Sequence, residues 1–325
     1  MMVLYNYTID LPFSKQKVHF RELNTQEQIL LAKAGINYDS QIESLFLYFN
    51  YLKKIISKCL EDELILNKIS ILEFVLLVLK IRMISVGGKI EFLLKNKKDK
   101  TKVEIDLKKY LLNLYKIGEF FENESNSLFQ EKNLEIKLSW PSINSIDFFY
   151  ELNSKDKKNY EVILDSFHEY VEYIKIKNKK IIFNQFSSED KIEMCNKISV
   201  NLRNSLQDKI VNGLKVLFES LLFDIQLFEE QRFNYYNLNF VEHLKMFFSN
   251  DIRSLYQEIY ILSSFNLPPS YILNISPSER KIYFSIIEEQ QKRNQEKGNG
   301  GVGDITPKSN QNLEDLALEF GDTPP

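Results

Sequence analysis

The side chains best suited to chemistry are few and scattered. There are three histidines, His19, His168 and His243. None has a second His or Cys one helical turn away, the spacing with which a helix grips a metal ion. The two cysteines, Cys59 and Cys195, lie far apart and imply neither a disulfide framework nor a metal knuckle. Gly87-Gly88 is not a phosphate loop: no Lys-Ser/Thr follows it, and the element before it reads as a helix rather than a strand. With 45 acidic residues, two carboxylates near each other are expected by chance and point to no acid–base pair. No catalytic, cofactor-binding or metal-ligating residue is expected, and no cofactor.

Two basic features have structural readings. Lys95, Lys97, Lys98 and Lys100 would sit at a hairpin tip, either solvated or against an acidic partner. Arg82 follows an apolar helix and precedes a tight turn, where a guanidinium can bond the last helix carbonyls or a buried carboxylate.

The elements that would position these groups come from a globular composition. Hydrophobic residues are 44% and charged residues 27% of a chain of 325, enough to bury a sizeable core. A net charge of -3 provides no basic field for a nucleic-acid backbone, so nucleic acid is not an expected partner. The most apolar stretch, Ile69 to Val86, carries Glu73, Lys80 and Arg82; it is too short and too charged to span a bilayer, which takes ~20 apolar residues. The first residues lack a basic region followed by an apolar one, so a reducing cytoplasm is expected.

The fold class expected is α+β, predominantly helical with short β-hairpins, in two small domains with a C-terminal tail. Residues 1–121 form the first domain, 122–131 a linker, 132–297 a mainly helical second domain, and 298–325 a disordered acidic tail. Strands are expected at Val3–Ile9 and Lys17–Arg21. A helix starts at Asn24, with Glu27 completing a capping box and Gly35 as its stop. Another runs from Asp39 to Leu60. The Ser70–Ser85 helix is apolar nearly all round and belongs in the middle of the first domain. Gly87-Gly88 ends it and leads into a hairpin, Lys89–Leu94 with Lys102–Leu107, then a helix Lys108–Gly118.

Further on, Leu134–Leu138 alternates as a strand, and helices are expected over 142–152 and 157–170. A hairpin at Tyr173–Phe183 would turn at Asn178-Lys179, and Ser188 would cap the next helix. Residues 198–228 read as helix in places and as strand near Phe223–Leu227. Helices Asn239–Ser249 and Asp251–Ser263 follow, and Pro268-Pro269 ends that run. Ser276-Pro277-Ser278-Glu279 combines a capping Ser, a first-turn Pro and a Glu three residues on, opening a helix to about Lys297. Within the tail, residues 312–320 place Leu313, Leu316, Ala317 and Phe320 at i, i+3, i+4 and i+7. That pattern suits a helix-in-groove ligand or an inert tail equally.

Several of these residues carry a resemblance. The order Leu11-Pro12-Phe13-Ser14, Phe20-Arg21, Thr25-Gln26-Glu27, then Arg82-x-x-Ser85-x-Gly87, resembles the amino-terminal half of the T-even-type bacteriophage baseplate hub assembly proteins. Leu255-Tyr256-Gln257-Glu258-Ile259-Tyr260-Ile261-Leu262 resembles a helix of their carboxy-terminal half. The start Ser276-Pro277-x-Glu279-Arg280, with Tyr283 after it, fits as well. Tail assembly chaperones that attend the tape-measure protein carry similar helices. The 28 residues from Gly298 have no counterpart in that pattern.

The resemblance implies a non-enzymatic baseplate hub assembly factor that binds hub or tape-measure components while a contractile tail is built. The alternatives are a permanent baseplate subunit and an unrelated cytoplasmic enzyme. It further implies residence in the host cytoplasm during virion assembly, or in the virion baseplate itself, with self-association left open. A groove for a long helical partner needs apolar and aromatic side chains. Leu255, Tyr256, Tyr260, Tyr283 and Ile287 are therefore candidates for the partner face, or for the core of the second domain. Leu313, Leu316 and Phe320 are tail candidates, and Arg82, Ser85, Gly87, Ser276, Glu279 and Arg280 are structural.

Overall fold

The computed structural model describes residues 5–95, 100–153, 165–220, 238, 240–249 and 252–297. The chain opens with an antiparallel pair, β1 (Tyr7–Asp10) and β2 (Lys17–Phe20). Helix α1 (Thr25–Asn37) follows, with Asn24 and Glu27 forming the expected capping box. Gly35 does not end it. The helix continues through Asn37, because the Tyr38 N–H still donates to the Ala34 carbonyl at 3.0 Å. Helix α2 (Ile42–Lys58) buries Leu45, Phe49, Leu52 and Ile56 at helical spacing.

Helix α3 (Ile71–Ser85) is the centre of the molecule. Ser70 and Glu73 cap its start, and from Ile71 to Leu79 every side chain is buried. Full burial of each large aliphatic side chain contributes roughly 1.5–3 kcal/mol, so no other helix contributes as much per turn. Gly87, at φ +120°, turns the chain into strands β3 (Lys89–Lys95) and β4 (Lys100–Asp106). Only glycine adopts that backbone conformation without strain. The lysines of the expected hairpin tip fall on residues 96–99, which lie outside the described residues, or on strand ends whose side chains do too.

Helix α4 (Leu107–Gly118) leads to a short helix α5 (Glu124–Ser127). Strands β5 (Leu128–Glu131), β6 (Leu134–Leu138), β7 (Val171–Ile176) and β8 (Lys179–Ile182) form an antiparallel sheet in chain order. The segment 122–131, expected as a linker, thus carries a helical turn and an edge strand. The β7–β8 turn falls at Lys177-Asn178, one residue before the expected place, with Lys177 at φ 54°. Helix α6 (Ser145–Asn153) lies between β6 and β7. The expected helix 157–170 lies mostly outside the described residues, and its end, Phe167–Tyr170, is a 3-10 turn.

Helices α7 (Ser188–Asn196) and α8 (Val200–Ser220) come next. The cap of α7 is Ser187 rather than Ser188. Residues 200–220, ambiguous from their pattern, are helical, while Phe223–Leu227 fall outside the described residues. Helix α9 (Phe240–Ser249) packs on α1, α2 and α3. One continuous hydrophobic cluster runs from Ile9 to Phe248, across the 122–131 segment. Phe49 sits in its middle, edge-on to Phe74 of α3 at 5.4 Å and to Phe240 of α9 at 5.9 Å.

The last three helices, α10 (Ile252–Ser264), α11 (Pro269–Asn274) and α12 (Pro277–Lys297), surround a second, smaller cluster. Its members are Leu255, Ile259, Leu262, Ile272, Ile275 and Ile287, with Ile29 of α1. Pro268-Pro269 does not simply end a helical run. Pro269 occupies the first turn of α11, where a missing N–H costs nothing. The whole is α+β and mainly helical, as the sequence led us to expect. Among the described residues, no helix is long and apolar enough to cross a membrane.

Candidate partner interface

Arg280 joins the two ends of the chain. It lies in the first turn of α12 and is 5% exposed. Its Nε donates to Glu258 Oε2 on α10 at 2.9 Å, Nη1 to Thr25 Oγ1 at 2.7 Å and Nη2 to Gln28 Oε1 at 3.1 Å. The Thr25 hydroxyl and N–H each donate to the Ile275 carbonyl at 3.1 Å. Beside this, the Glu22 carboxylate accepts from Tyr7 Oη at 2.6 Å, from the Ser278 N–H at 3.0 Å and from the Ser278 hydroxyl. A carboxylate at the free N–H groups of a helix start is favourably placed. The expected Ser276–Glu279 cap forms as well, each backbone N–H donating to the other's side chain, at 2.8 and 3.2 Å. Helices α10–α12 are therefore locked to α1 by polar contacts as well as by their small apolar cluster.

Arg82 stands in the last turn of α3. It is 1% exposed. Its Nη1 donates to the Gly87 carbonyl at 2.6 Å and its Nη2 to that of Lys89 at 3.5 Å, while Nε donates to the Phe247 carbonyl near the end of α9. Ser85 Oγ accepts from the Leu23 N–H at 2.9 Å. The Arg-x-x-Ser-x-Gly spacing thus ties α3 to the turn after it, to α9 and to the loop before α1.

The structure sorts the proposed partner-facing side chains. Leu255 and Ile287 are buried in the small cluster, the second of the two places the sequence left open for them. Tyr256 and Tyr283 are half-buried against the same cluster, and Tyr283 Oη lies 2.8 Å from Tyr271 Oη. Tyr260 is exposed. Its neighbours at the surface, Ile261 on α10 and Phe265 just past its end, were not singled out, nor were Ile282 and Ile286 on α12, which are 60% and 45% exposed. The signal was available, since Ile282 and Ile286 repeat at i and i+4 beside the Tyr283/Ile287 pair. The pattern alone does not say which of two adjacent stripes faces inward. Leu313, Leu316 and Phe320 lie outside the described residues.

Ile282 also lines an open cleft of about 850 Å³ between α11–α12 and the β1–α1 segment, together with Tyr7, Arg21, Pro268 and Tyr271. A second cleft, about 460 Å³, lies between the β1–β2 turn, the start of α3 and the β6–α6 and β7 segments. Glu73 and Glu169 line it, and neither is idle. Glu73 Oε1 accepts from the N–H groups of Phe13 and Ser14 at 2.9 and 2.6 Å. Glu169 accepts from Ser145 Oγ at 2.5 Å, Ser188 Oγ at 2.8 Å and Lys191 Nζ at 2.9 Å. His168 Nε2 lies 3.2 Å from Glu169 Oε1 without a hydrogen bond of good geometry. Burial pushes the Glu169 pKa up, but the His168 ring, Lys191 and Ser145 outweigh it and hold the carboxyl at about 2.

The remaining reactive groups are dispersed. His19 faces Thr8 on the β1–β2 pair, and the buried His243 lies 3.1 Å from Tyr110 Oη. Burial raises both thiols, Cys195 to about 12 and Cys59 further. Neither is a thiolate nucleophile at neutral pH. Among the described residues, no group of three His, Cys, Asp or Glu is placed to hold a metal ion.

Glu22, Glu73 and Glu169, which line the clefts, are thus committed to internal bonds, and exposed large apolar side chains occur on several elements, Leu64, Leu112 and Val200 among them as well as Ile282 and Ile286 on α12. The family model described as T4 bacteriophage base plate protein matches residues 2–217, well over half of the chain. The protein belongs to that family. No curated protein and no solved structure matches it. The matched span includes the Arg82-x-x-Ser85-x-Gly87 motif and ends within α8, so α10–α12 lie beyond it.

Proposed function

We propose that this baseplate-family protein is a non-enzymatic assembly factor. It binds hub or tape-measure components in the host cytoplasm while the contractile tail is built. The observation that carries this reading is the set of exposed apolar side chains at Tyr260 and Ile261 on α10, Phe265 just after it, and Ile282 and Ile286 on α12, displayed on helices tied to α1 by the Arg280 and Glu22 contacts. Large apolar side chains left in water on ordered helices are a characteristic of protein-binding faces. A tape-measure protein, as a long helical chain, offers a complementary apolar seam. The internal saturation of Glu22, Glu73 and Glu169 supports binding rather than catalysis.

The test is recovery of partners by the tagged full-length chain from infected cells, read by mass spectrometry, beside an Ile261→Glu/Phe265→Glu variant. The expected result is hub or tape-measure protein with the wild type, at least tenfold less with the variant, and no stoichiometric copy of the chain in purified particles. Stoichiometric presence in particles would instead establish a permanent baseplate subunit. Recovery of no tail protein at all would overturn the assembly role.

A further inference from the structure

Strand β8 (Lys179–Ile182) is an outer strand of the four-stranded sheet. It pairs with β7 on one side, and among the described residues no strand lies on its other side. The opposite edge, β5, is partly covered, since Lys209 of α8 donates to the Leu128 carbonyl at 3.5 Å. The two-residue turn Lys177-Asn178 fixes which backbone groups of β8 face outwards. Ile176 and Lys179 flank the turn and exchange hydrogen bonds, and such pairs alternate along an antiparallel ladder. The pairs Lys175–Lys180 and Tyr173–Ile182 therefore exchange none. The N–H and C=O of Lys180 and the N–H of Ile182 point away from β7. An edge with unmet donors and acceptors is a template for another extended chain.

The side chains along the edge select the chemistry of that chain. Lys175, Lys177, Lys179 and Lys180 fall close together in a protein whose net charge is -3. Lys132 sits in the adjoining β5–β6 turn, where the Asn133 carbonyl accepts from the Lys177 N–H at 2.7 Å. Lys175 pairs with Glu135 at 3.9 Å. Lys177, Lys179 and Lys180 are exposed and make no ion pair among the described residues. Lys180 Nζ lies 3.7 Å from the centre of the Tyr173 ring, which holds the ammonium over the polar face of the sheet. Further from the turn the edge is apolar: Ile181 is half-buried and Ile182 exposed. A strand alongside gains from carboxylates opposite Lys179 and Lys180 and from β-branched side chains opposite Ile181 and Ile182. A second copy of β8 would set lysine against lysine or against isoleucine and gain neither contact. Nucleic acid or an anionic membrane would meet the ammoniums but offers no alternating donors and acceptors at strand spacing.

We infer that β8 is a docking edge for a protein partner. An extended segment of that partner adds antiparallel to it, with two apolar side chains opposite Ile182 and Ile181 followed by two carboxylates opposite Lys180 and Lys179. The edge lies within the span matched by the baseplate family model and apart from α10–α12. It therefore stands whether or not those helices are a partner face.

The experiment titrates the full-length protein with the capped peptide Thr-Val-Val-Glu-Glu-Thr and follows affinity and amide exchange. In the antiparallel register the N–H groups of the first Val and first Glu face β8, and those of the second Val and second Glu face away. The expected result is slower exchange at the Lys180 and Ile182 amides. N-methylating the first Val and first Glu should weaken binding about tenfold or more, through two lost hydrogen bonds, while N-methylating the second pair leaves it nearly unchanged. Lys179→Glu/Lys180→Glu should weaken binding to a similar degree, and a peptide with Lys-Lys in place of Glu-Glu should restore it, which shows that the variant is folded. Equal behaviour of the two N-methylated peptides would reduce the edge to a charge contact and overturn strand addition. No binding of the peptide, or protection away from β8, would overturn it as well. So would binding of a single-stranded oligonucleotide or a phosphatidylserine vesicle in place of the peptide, which would assign the lysines to a phosphate-bearing partner.

Discussion

Arg280 Nη1 donates to Thr25 Oγ1 at 2.7 Å, although 255 residues of chain separate the two. One guanidinium spends its three nitrogens on two helices, Nε on α10 and both Nη1 and Nη2 on α1, from its own place at the start of a third, α12. The planar fork of arginine meets this geometry and lysine cannot.

Replacing Arg280 with Met should cost roughly 2–4 kcal/mol, because Thr25 and Gln28 are left buried with a lost partner. Residues 252–297 should lose amide-exchange protection well before helix α3 does. Equal loss in both regions would show that the C-terminal helices and the main core unfold as one unit.

Arg82→Lys should cost about 2 kcal/mol or more, since one ammonium cannot serve the carbonyls of Gly87, Lys89 and Phe247 at their separate positions. Urea midpoints of the variant and wild type measure this. A change within ~0.5 kcal/mol, the usual scatter of surface substitutions, would contradict the assigned role.

Glu169 predicts an acid limb. Its folded pKa, about 2, lies below the ordinary 4.5, so the folded state binds fewer protons than the unfolded one over that interval. The stabilisation is complete above pH ~4.5 and is lost as pH falls towards 2, amounting to at most ~3 kcal/mol. Glu169→Gln should lower stability at pH 7 and flatten the stability-against-pH curve between pH 5 and 2. A parallel curve would mean that other carboxylates set the acid limb.

Both thiols should resist a disulfide-exchange reagent at pH 8, since each is buried with its pKa raised. Full reaction of two thiols should appear only on unfolding in guanidinium. Rapid labelling of either in the folded protein would expose a local opening around α2 or α7.

Stretches whose stability is local were legible in the sequence. The caps Asn24–Glu27 and Ser276–Glu279 each close within four residues, and both form. The burial of α3 followed from its unbroken apolar run, and the hairpin after Gly87-Gly88 from alternation. Gly35 misled because a glycine permits a helix end without requiring one, and here the next turn found its hydrogen bonds. At the 122–131 segment, polar residues read as a linker, yet a strand edge needs only backbone partners, which β6 supplies.

The candidate interface divides in the same way. Periodicity located the apolar face of residues 312–320, and the resemblance pointed to the last helices without naming Ile282 or Ile286. Only tertiary structure decided that Leu255 and Ile287 turn inward while Tyr260, Ile282 and Ile286 stay in water. Two adjacent stripes on one helix are equivalent until a neighbour covers one of them, and here the neighbour is α1, more than 200 residues earlier in the chain. Glu22, Thr25 and Gln28 carry no local signal, because their partners on α12 lie at the other end of the sequence. A helix start is written in consecutive residues. A contact between chain ends exists only once the rest of the chain has packed.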